Sequence, residues 1–545
     1  MSKKQPSDQK NTSDNKLNEL FEEFEEINYN PEEFIFGPPP DLSEVSALDQ
    51  ELSLLKRNDS GNAQRLFRRY GYDLTYVLKS GWYGWSGKCW SLDDGPHMAQ
   101  VAGQRTAHCL ANEFKSVHAI GQFASETTKQ FEDRLRSWLR FALNSGNSNK
   151  IAAMIREAEP YLASSIDDLD THPLLFNVQN GTLDLDAEDN GEEEFDGIVL
   201  LPHSQEHLIT KVAGVKYDRN AEAWHFRQFM EDILPDDEIR EFVQRWLGYC
   251  LTGSPKEQVI VMFYGIGSNG KSVLMNVMHR VFGSYALALP FASLLHDDRK
   301  RGSEANPDLA RLPGARFVTA AEPDIGAKFS ESVLKQLTGG DKMIVRHLRQ
   351  NFFEFKPQFK LCLSFNNKPA IRGQDEGIWR RILLVPFDQR YVEAHELERH
   401  PGAKLKDKDL EQKLWAEAPG ILNWLLDGYR MWKESGLQIP AKVRAATEEY
   451  RQESNPVGEF IRTFCDRIPG SSIQAARLYE AYKLWSIENA MEPISMTRFG
   501  YRIKDLRIEK EEGRLVHYKG LSLNADGEAI LRAAEDRKRP KRDEE

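Results

Sequence analysis

The stretch "FYGIGSNGKSVLMNVM", residues 263–278, holds the residue types best suited to chemistry. Gly265-x4-Gly270-Lys271-Ser272 fits the glycine-rich pattern that cradles the phosphates of nucleoside triphosphates. Such glycines let backbone N–H groups close around phosphate oxygens, and the helix that follows adds its dipole. The candidate ATP-binding segment is therefore Gly265, Ile266, Gly267, Ser268, Asn269, Gly270, Lys271, Ser272 and Val273. Lys271 would reach the β- and γ-phosphates, and Ser272 would ligate Mg²⁺.

Phosphate binding alone does not hydrolyse anything. Hydrolysis needs an acid at the end of a neighbouring strand. "ARFVTAAEPD" supplies Glu322 after an apolar run, with Asp324 as a second candidate Mg²⁺ ligand. "FKLCLSFNNKP" is again strand-like and ends in Asn366, suited to orienting water and sensing the γ-phosphate, with Asn367 as the turn residue. "GIWRRILLVPF" places Arg380 and Arg381 before a further strand. Such an arginine can reach the γ-phosphate of a neighbouring subunit as a finger, a role worth ~10³–10⁵ in rate in GTPases.

These residues must be held by alternating strands and helices. "QVIVMFY" before the loop reads as a strand and "SVLMNVMHRVF" after it as a helix, the order the phosphate cradle requires. Upstream, residues 61–215 read as a mixed α/β domain. "DLTYVLKSGWYGWSGKCWSLDDG" alternates like hairpin strands, and "LLFNVQNGTLDLD" turns at Asn180-Gly181. Asp184 and Asp186 read as turn-flanking strand residues rather than metal ligands. Residues 216–255 read as a helical collar divided at Pro235, 256–390 as the nucleotide-binding block and 391–455 as a helical lid or linker. Residues 456–525 read as a C-terminal domain and 526–545 as a charged disordered tail. Residues 1–60 read as a disordered acidic segment.

The net charge of −12 looks unfavourable for a nucleic-acid partner, yet residues 17–55 hold eleven acids and no Lys or Arg. The rest of the chain is near neutral and can carry a local basic stripe. "LNELFEEFEEI" can form an amphipathic helix that docks a partner, but a solvated acidic tail is the simpler reading. Residues 1–10 have no apolar stretch of a secretory signal, and runs such as "ILLVPF" are far short of a membrane span. None of the five cysteines forms a C-x-x-C pair, so buried reduced thiols in a cytoplasmic chain are expected.

Together, "YGIGSNGKS", "AAEPD", "LLFNVQNGTLDL", "LKQLTGGD", "FKLCLSFNNKP" and "GIWRRILLVPF" resemble a superfamily 3 helicase of the AAA+ branch. The chain is most similar to the phage/plasmid primase–helicase family, which includes the poxvirus primase-helicase, over roughly residues 61–525. The resemblance implies an α/β fold: an AAA+ P-loop core of parallel sheet flanked by helices, with an α/β N-terminal domain, a helical collar and a C-terminal winged helix. It implies a hexameric ring that moves along single-stranded DNA, with ATP between subunits, serving a phage, prophage or plasmid in a bacterial cytoplasm. In that family a hairpin matching "GGDKMIVRHLRQNFFEFK" grips single-stranded DNA, which here points to Lys342, Arg346, His347 and Arg349. Guanidinium groups suit phosphates, and an imidazole can stack or hydrogen-bond.

Two departures stand out. Pro323 separates Glu322 from Asp324 where the family often has adjacent acids. The chain also has no room for a primase domain of about 200 residues ahead of residue 61, so a separate primase is expected as a partner. At the C-terminus, "SSIQAARLYEAYKLWSIENAMEPISMTRFGYRIKDL" and "RIEKEEGRLVHYKGLSL" read as helix, helix and β-wing. Arg498, Arg502, Lys504, Arg514, His517 and Lys519 would then face duplex or forked DNA. The competing function is a DNA replication initiator or loader switched by ATP without processive unwinding. A small-molecule kinase is a third reading, but it leaves the basic hairpin unexplained.

Overall fold

The computed structural model describes residues 43–188, 197–295, 306–321, 328–346, 351–371, 373, 375–489 and 491–538. The chain divides into two compact units. The first reaches Lys216 and the second begins at Tyr217, except that a short segment ending at Phe355 groups with the first.

In the first unit, strands β1 (Leu74–Val77), β2 (Gly81–Trp85), β3 (Trp90–Ser91) and β4 (Ala163–Ser164) form a sheet in the order β3-β2-β1-β4. Its β1–β2 and β2–β3 pairs are antiparallel and β1–β4 is parallel. Strands β5 (Leu175–Val178), β6 (Gly181–Asp184) and β7 (Val199–Leu201) form an antiparallel meander. The helix Gly95–Ile120 is buried along most of its length; Met98, Ala99 and Ala102 pack with Leu66, Leu74, Trp82 and Met154.

The N-terminal boundary is a correction. The expected disordered segment ended near residue 60, but residues 43–60 are folded. Ser46 and Asp49 cap the helix Ala47–Leu52 reciprocally, and Asn58 caps the helix Asp59–Tyr70. Asp49 is buried because Arg69 meets it at 2.6 Å. Arg69 also reaches Glu113 at 3.0 Å, and Glu113 meets Arg65 at 2.7 Å, both of the latter side chains fully buried. Burial pushes the Glu113 carboxyl up, with the two arginines pulling against it. Counting Asp49 as tail charge missed that its partners lie in the following helix. The amphipathic stretch at residues 17–27 lies outside the described residues.

The second unit is built on strands β8 (Ile260–Tyr264), β9 (Ala286–Ala288), β10 (Phe317–Ala321), β13 (Lys360–Phe365) and β14 (Ile382–Pro386). They form one sheet in the order β14-β8-β13-β10-β9, with every pair parallel. The chain leaves β8 for the far edge at β9 and later returns to the other flank as β14. β8 is thus a topological switch point, where a ligand cleft opens at the strands' carboxyl ends. Between β10 and β13 lie the short strands β11 (Met343–Val345) and β12 (Phe353–Phe355). Pro235 separates the helices Trp224–Ile233 and Asp237–Tyr249. The second of these packs backbone to backbone on the helix Ala418–Ser435. A Cβ on Gly248 would lie 2.1 Å from the Tyr429 nitrogen, and one on Gly428 would lie 2.2 Å from the Gln244 carbonyl.

The expected helical lid begins differently. Residues 391–409 carry the short parallel strands β15 (Tyr391–Val392) and β16 (Lys404–Leu405) around a 3₁₀ turn. The helices Leu410–Ala416, Ala418–Ser435 and Ala441–Glu453 come only after them. Past β17 (Cys465–Asp466), the C-terminal part pairs β18 (Ser472–Gln474), β19 (Lys510–Glu511) and β20 (His517–Lys519) in the order β18-β20-β19. The helices Ala475–Glu488 and Met496–Asp505 cover a core of Phe460, Tyr482, Phe499 and Ile503. After β21 (Ser522–Leu523), the expected disordered tail is instead a helix, Ala525–Lys538. Leu531 buries in that core, and Glu528 pairs with Arg477 at 2.6 Å. A single apolar anchor among charges gave too weak a pattern to reveal it. All five cysteines are buried and free.

Candidate functional site

β8 ends at Tyr264, and the helix Lys271–Phe282 starts seven residues later. The intervening loop takes three left-handed residues, at Gly267 (φ 100°), Ser268 (φ 49°) and Gly270 (φ 85°). Gly265 needs its hydrogen side chain for another reason. A Cβ there would lie 2.1 Å from the Asn269 amide and 2.4 Å from the Phe387 carbonyl. The segment after β14 clamps this loop: Asn269 donates to the Phe387 carbonyl at 3.2 Å, and the Tyr391 N–H donates to the Ser268 carbonyl at 2.7 Å.

Lys271 is buried inside the loop. Its ammonium donates to the Gly265 carbonyl at 2.8 Å, to Asn269 Oδ1 at 3.0 Å and to Asn366 Oδ1 at 3.2 Å. Burial pushes its pKa down to about 8. Parallel register sets Tyr264 beside Phe365, so the residues that follow each strand emerge together. That adjacency brings Asn366 to Lys271.

A cavity of about 880 Å³ opens over the loop. Gly267 through Val273 line it, together with Asn366, Thr319 and Ala321. Gly265 and Ile266 stand outside the lining; the Gly265 carbonyl holds Lys271, and Ile266 is 88% exposed. The opposite wall comes from Trp224, His225 and Phe229 and from Tyr391, Leu405 and Lys413. Sequence reasoning missed that wall, since no motif marks it. Glu417 fixes its helix by accepting the N–H groups of His225 and Phe226 and the His225 ring at 2.5 Å. The Tyr391 hydroxyl is buried without a hydrogen-bond partner among the described residues, and burial pushes its pKa upward.

Glu322 and Asp324, expected to hold Mg²⁺, lie outside the described residues. Ser272 is exposed on the cavity wall. Among the described residues no group of three or more His, Cys, Asp or Glu side chains could hold a metal ion. Beneath this region His279 meets the Thr319 hydroxyl at 2.6 Å, tying the helix Lys271–Phe282 to β10, and burial lowers the pKa of His279.

Arg380 and Arg381 lie at the opposite end of the sheet from the loop. The Arg381 carbonyl accepts the N–H of Ile260, the first residue of β8, at 2.6 Å. In the basic hairpin segment Met343 and Val345 are buried, and the alternation places Lys342, the 63% exposed Ile344 and Arg346 on the other face. His347 and Arg349 lie outside the described residues. On the helix Met496–Asp505, Arg498, Tyr501 and Lys504 are exposed, whereas Arg502 turns back towards Asp505 at 3.7 Å. Arg514 is exposed, Lys519 meets Glu511 at 3.3 Å, and His517 faces the Leu515 carbonyl at 3.2 Å.

With this geometry in hand, the comparisons with known proteins are informative. Residues 63–235 match the family described as D5 N terminal like, and residues 263–381 match a family of unknown function (DUF5906). The chain is 27% identical over 434 residues to "Putative helicase L207/L206" of Acanthamoeba polyphaga mimivirus, covering 76% of this chain and 44% of that one. It is 27% identical to "Putative helicase 022R" of Frog virus 3, covering 48% of this chain and 28% of that one. It is 26% identical to "Putative primase C962R" of African swine fever virus (isolate Tick/Malawi/Lil 20-1/1983), covering 42% and 24%. These matches support a primase–helicase-like family for the chain, which spans less than half the length of each of these relatives. The relatives belong to viruses of eukaryotes, so the bacterial setting implied by the phage resemblance finds no counterpart among them. The apo structure of the NrS-1 C terminal region overlaps 64% of this chain and 85% of that one at 12% identity, with a TM-score of 0.37, too low to define a shared fold. Among the described residues no helix is long and apolar enough to cross a membrane.

Proposed function

We propose that the chain is an ATP-dependent DNA helicase of superfamily 3 that assembles into a ring and moves along single-stranded DNA. The parallel sheet would be its AAA+ core and the C-terminal part its winged helix. The observation that carries this reading is the convergence of Lys271 and Asn366 at the carboxyl ends of β8 and β13, beneath a cavity large enough for a nucleotide. ATP phosphates would replace the Gly265, Asn269 and Asn366 oxygens around the Lys271 ammonium. Backbone N–H groups of the loop and the helix N-terminus would bind the remaining phosphate oxygens. Mg²⁺, held by Ser272 with Glu322 and Asp324, would neutralise charge on the transferred phosphoryl group. Asn366 would orient the attacking water, and Arg380 or Arg381 of a neighbouring subunit would stabilise the developing charge. Lys342, Arg346, His347 and Arg349 would grip the translocating strand. The C-terminal cations would hold duplex at the fork.

The test is ATP hydrolysis and displacement of a strand from a forked duplex by the purified protein, with Lys271→Ala beside it. The expected result is hydrolysis stimulated by single-stranded DNA, with hydrolysis and displacement both lost in the variant. Displacement that survives in Lys271→Ala would sink the proposal. Lys271-dependent hydrolysis without displacement would instead identify an ATP-switched initiator or loader.

A further inference from the structure

We infer that Arg380, not Arg381, is the arginine this chain lends to the phosphate site of a neighbouring copy, and that Arg381 positions it. This rests on the ATPase reading above.

Strand register comes first. β14 and β8 run parallel, pairing Ile382 with Ile260 and Pro386 with Tyr264. Both arginines precede β14, while the P-loop follows β8. At about 3.3 Å per strand residue the two ends lie roughly 16 Å apart. That is beyond the reach of an extended arginine side chain, so neither residue can serve the P-loop of its own chain. Any nucleotide phosphate they touch is held by the loop of another copy.

The two side chains then differ. The Arg381 guanidinium donates to the Gly377 carbonyl, an orphan acceptor at the end of the short helix Glu376–Trp379. Its Nε is buried without a hydrogen-bond partner among the described residues, and burial together with neighbouring Arg380 lowers its pKa. A group held this way is committed to its own backbone. Arg380 is the C-cap of that helix, and its side chain is exposed with no hydrogen bond or ion pair among the described residues.

The mount beneath Arg380 is rigid. Lys335 meets Asp375 at 2.9 Å, and Arg451 meets Glu376 at 2.9 Å. The Trp379 ring N–H donates to the Gly373 carbonyl at 2.8 Å, and its ring packs edge-on against Tyr450 with centroids 5.4 Å apart. A free cation on a clamped turn suits a group that must meet a developing charge without reorganising.

The experiment measures ATP hydrolysis and ATP-analogue binding by full-length wild type, Lys271→Ala, Arg380→Ala, Arg380→Lys and Arg381→Lys. Arg380→Ala should lose hydrolysis on the order of 10³-fold while still binding the analogue, because its own cavity is intact. Arg380→Lys should not restore the rate, since an ammonium lacks the planar fork. Arg381→Lys should keep more hydrolysis than Arg380→Lys, because an ammonium can still donate to the Gly377 carbonyl. Mixing Arg380→Ala with Lys271→Ala should restore part of the activity, each variant supplying what the other lacks. Wild-type hydrolysis in Arg380→Ala, or no recovery on mixing, would overturn the inference while leaving the ATPase reading intact. Absence of Lys271-dependent hydrolysis in the wild type would overturn that reading itself.

Discussion

The ammonium of Lys271 lies 3.2 Å from Oδ1 of Asn366, joining residues 95 positions apart at the ends of two paired strands. Under the proposed function, this contact would let the site register what occupies it. Phosphate drawing the ammonium away would release the Asn366 carboxamide to hold water.

Asn366→Ala should therefore slow turnover more than it weakens nucleotide binding. A loss of about 10²-fold in kcat is expected for removing one aligned polar group. Asn367→Ala should have a much smaller effect, because the Lys271 ammonium donates to Asn366. Steady-state hydrolysis with parallel titration of an ATP analogue separates the two terms. Equal losses in the two variants would show that position 366 is not special.

Lys271 should give nucleotide binding a pH signature. Burial holds its pKa at about 8 in the free protein. Phosphates beside the ammonium would raise it, so above that pH the complex binds more protons than the free protein. Affinity should be level below pH 8 and fall above it by up to about tenfold per pH unit. Calorimetric titration at about pH 9 in two buffers of different ionisation enthalpy should detect proton uptake on binding. Binding without uptake would place the nucleotide away from Lys271.

Much of this site was legible in the residues, and the rest was hidden for physical reasons. The glycine spacing and the apolar runs around it report local geometry, so the strand, loop and helix at 260–282 follow from them. Asn366 was legible because a strand-end residue keeps its place whatever the strand order. The opposite wall was not. Tyr391 reaches Ser268 through its backbone N–H, which any residue other than proline carries. Glu417 caps the helix Trp224–Ile233 from nearly two hundred residues away, beyond any local pattern. Asp49 looked like solvated charge because its partner Arg69, shared with Glu113, is brought to it only by packing. The arginine pair was visible as a pair, but the difference between its members depends on a carbonyl at Gly377.

Gly265→Ala should damage the loop more than the fold. The added methyl would press on the Phe387 carbonyl, a backbone atom that cannot swing aside, and on the Asn269 amide that anchors the loop. A stability cost of about 1–3 kcal/mol is expected from such overpacking. Nucleotide affinity should fall at least tenfold, because the loop N–H groups lose alignment. Thermal unfolding with and without an ATP analogue checks both parts. A variant with wild-type affinity would show that the clamp to Phe387 is dispensable.

Glu113→Gln tests the first unit alone. The carboxylate sits between Arg65 and Arg69, and Arg65 is fully buried with it. Removing the negative charge leaves two guanidinium groups facing a neutral amide. Losing one member of a buried network typically costs about 3–5 kcal/mol. Urea denaturation of the full chain should show an earlier first transition, with Lys271-dependent hydrolysis outlasting it if the second unit holds. A shift below about 1 kcal/mol would mean that Asp49 alone satisfies Arg69.

The two basic elements of the C-terminal part should contribute unequally to duplex binding. On the helix, Arg498 and Lys504 are exposed beside Tyr501, while Arg502 is drawn towards Asp505 at 3.7 Å. On the β19–β20 strand pair, Lys510 meets Glu512 at 2.7 Å and Lys519 meets Glu511 at 3.3 Å. Such exposed pairs are weak as stabilisers, but each cancels its own charge at the range where phosphate is felt. Arg498→Ala and Lys504→Ala should each flatten the salt dependence of duplex binding by about 0.9 log unit per log salt. Lys519→Ala should flatten it less. Fluorescence anisotropy over a salt series makes the comparison, and a Lys519 effect as large as that of Arg498 would show that duplex breaks the Glu511 pair and recruits the β19–β20 strand pair.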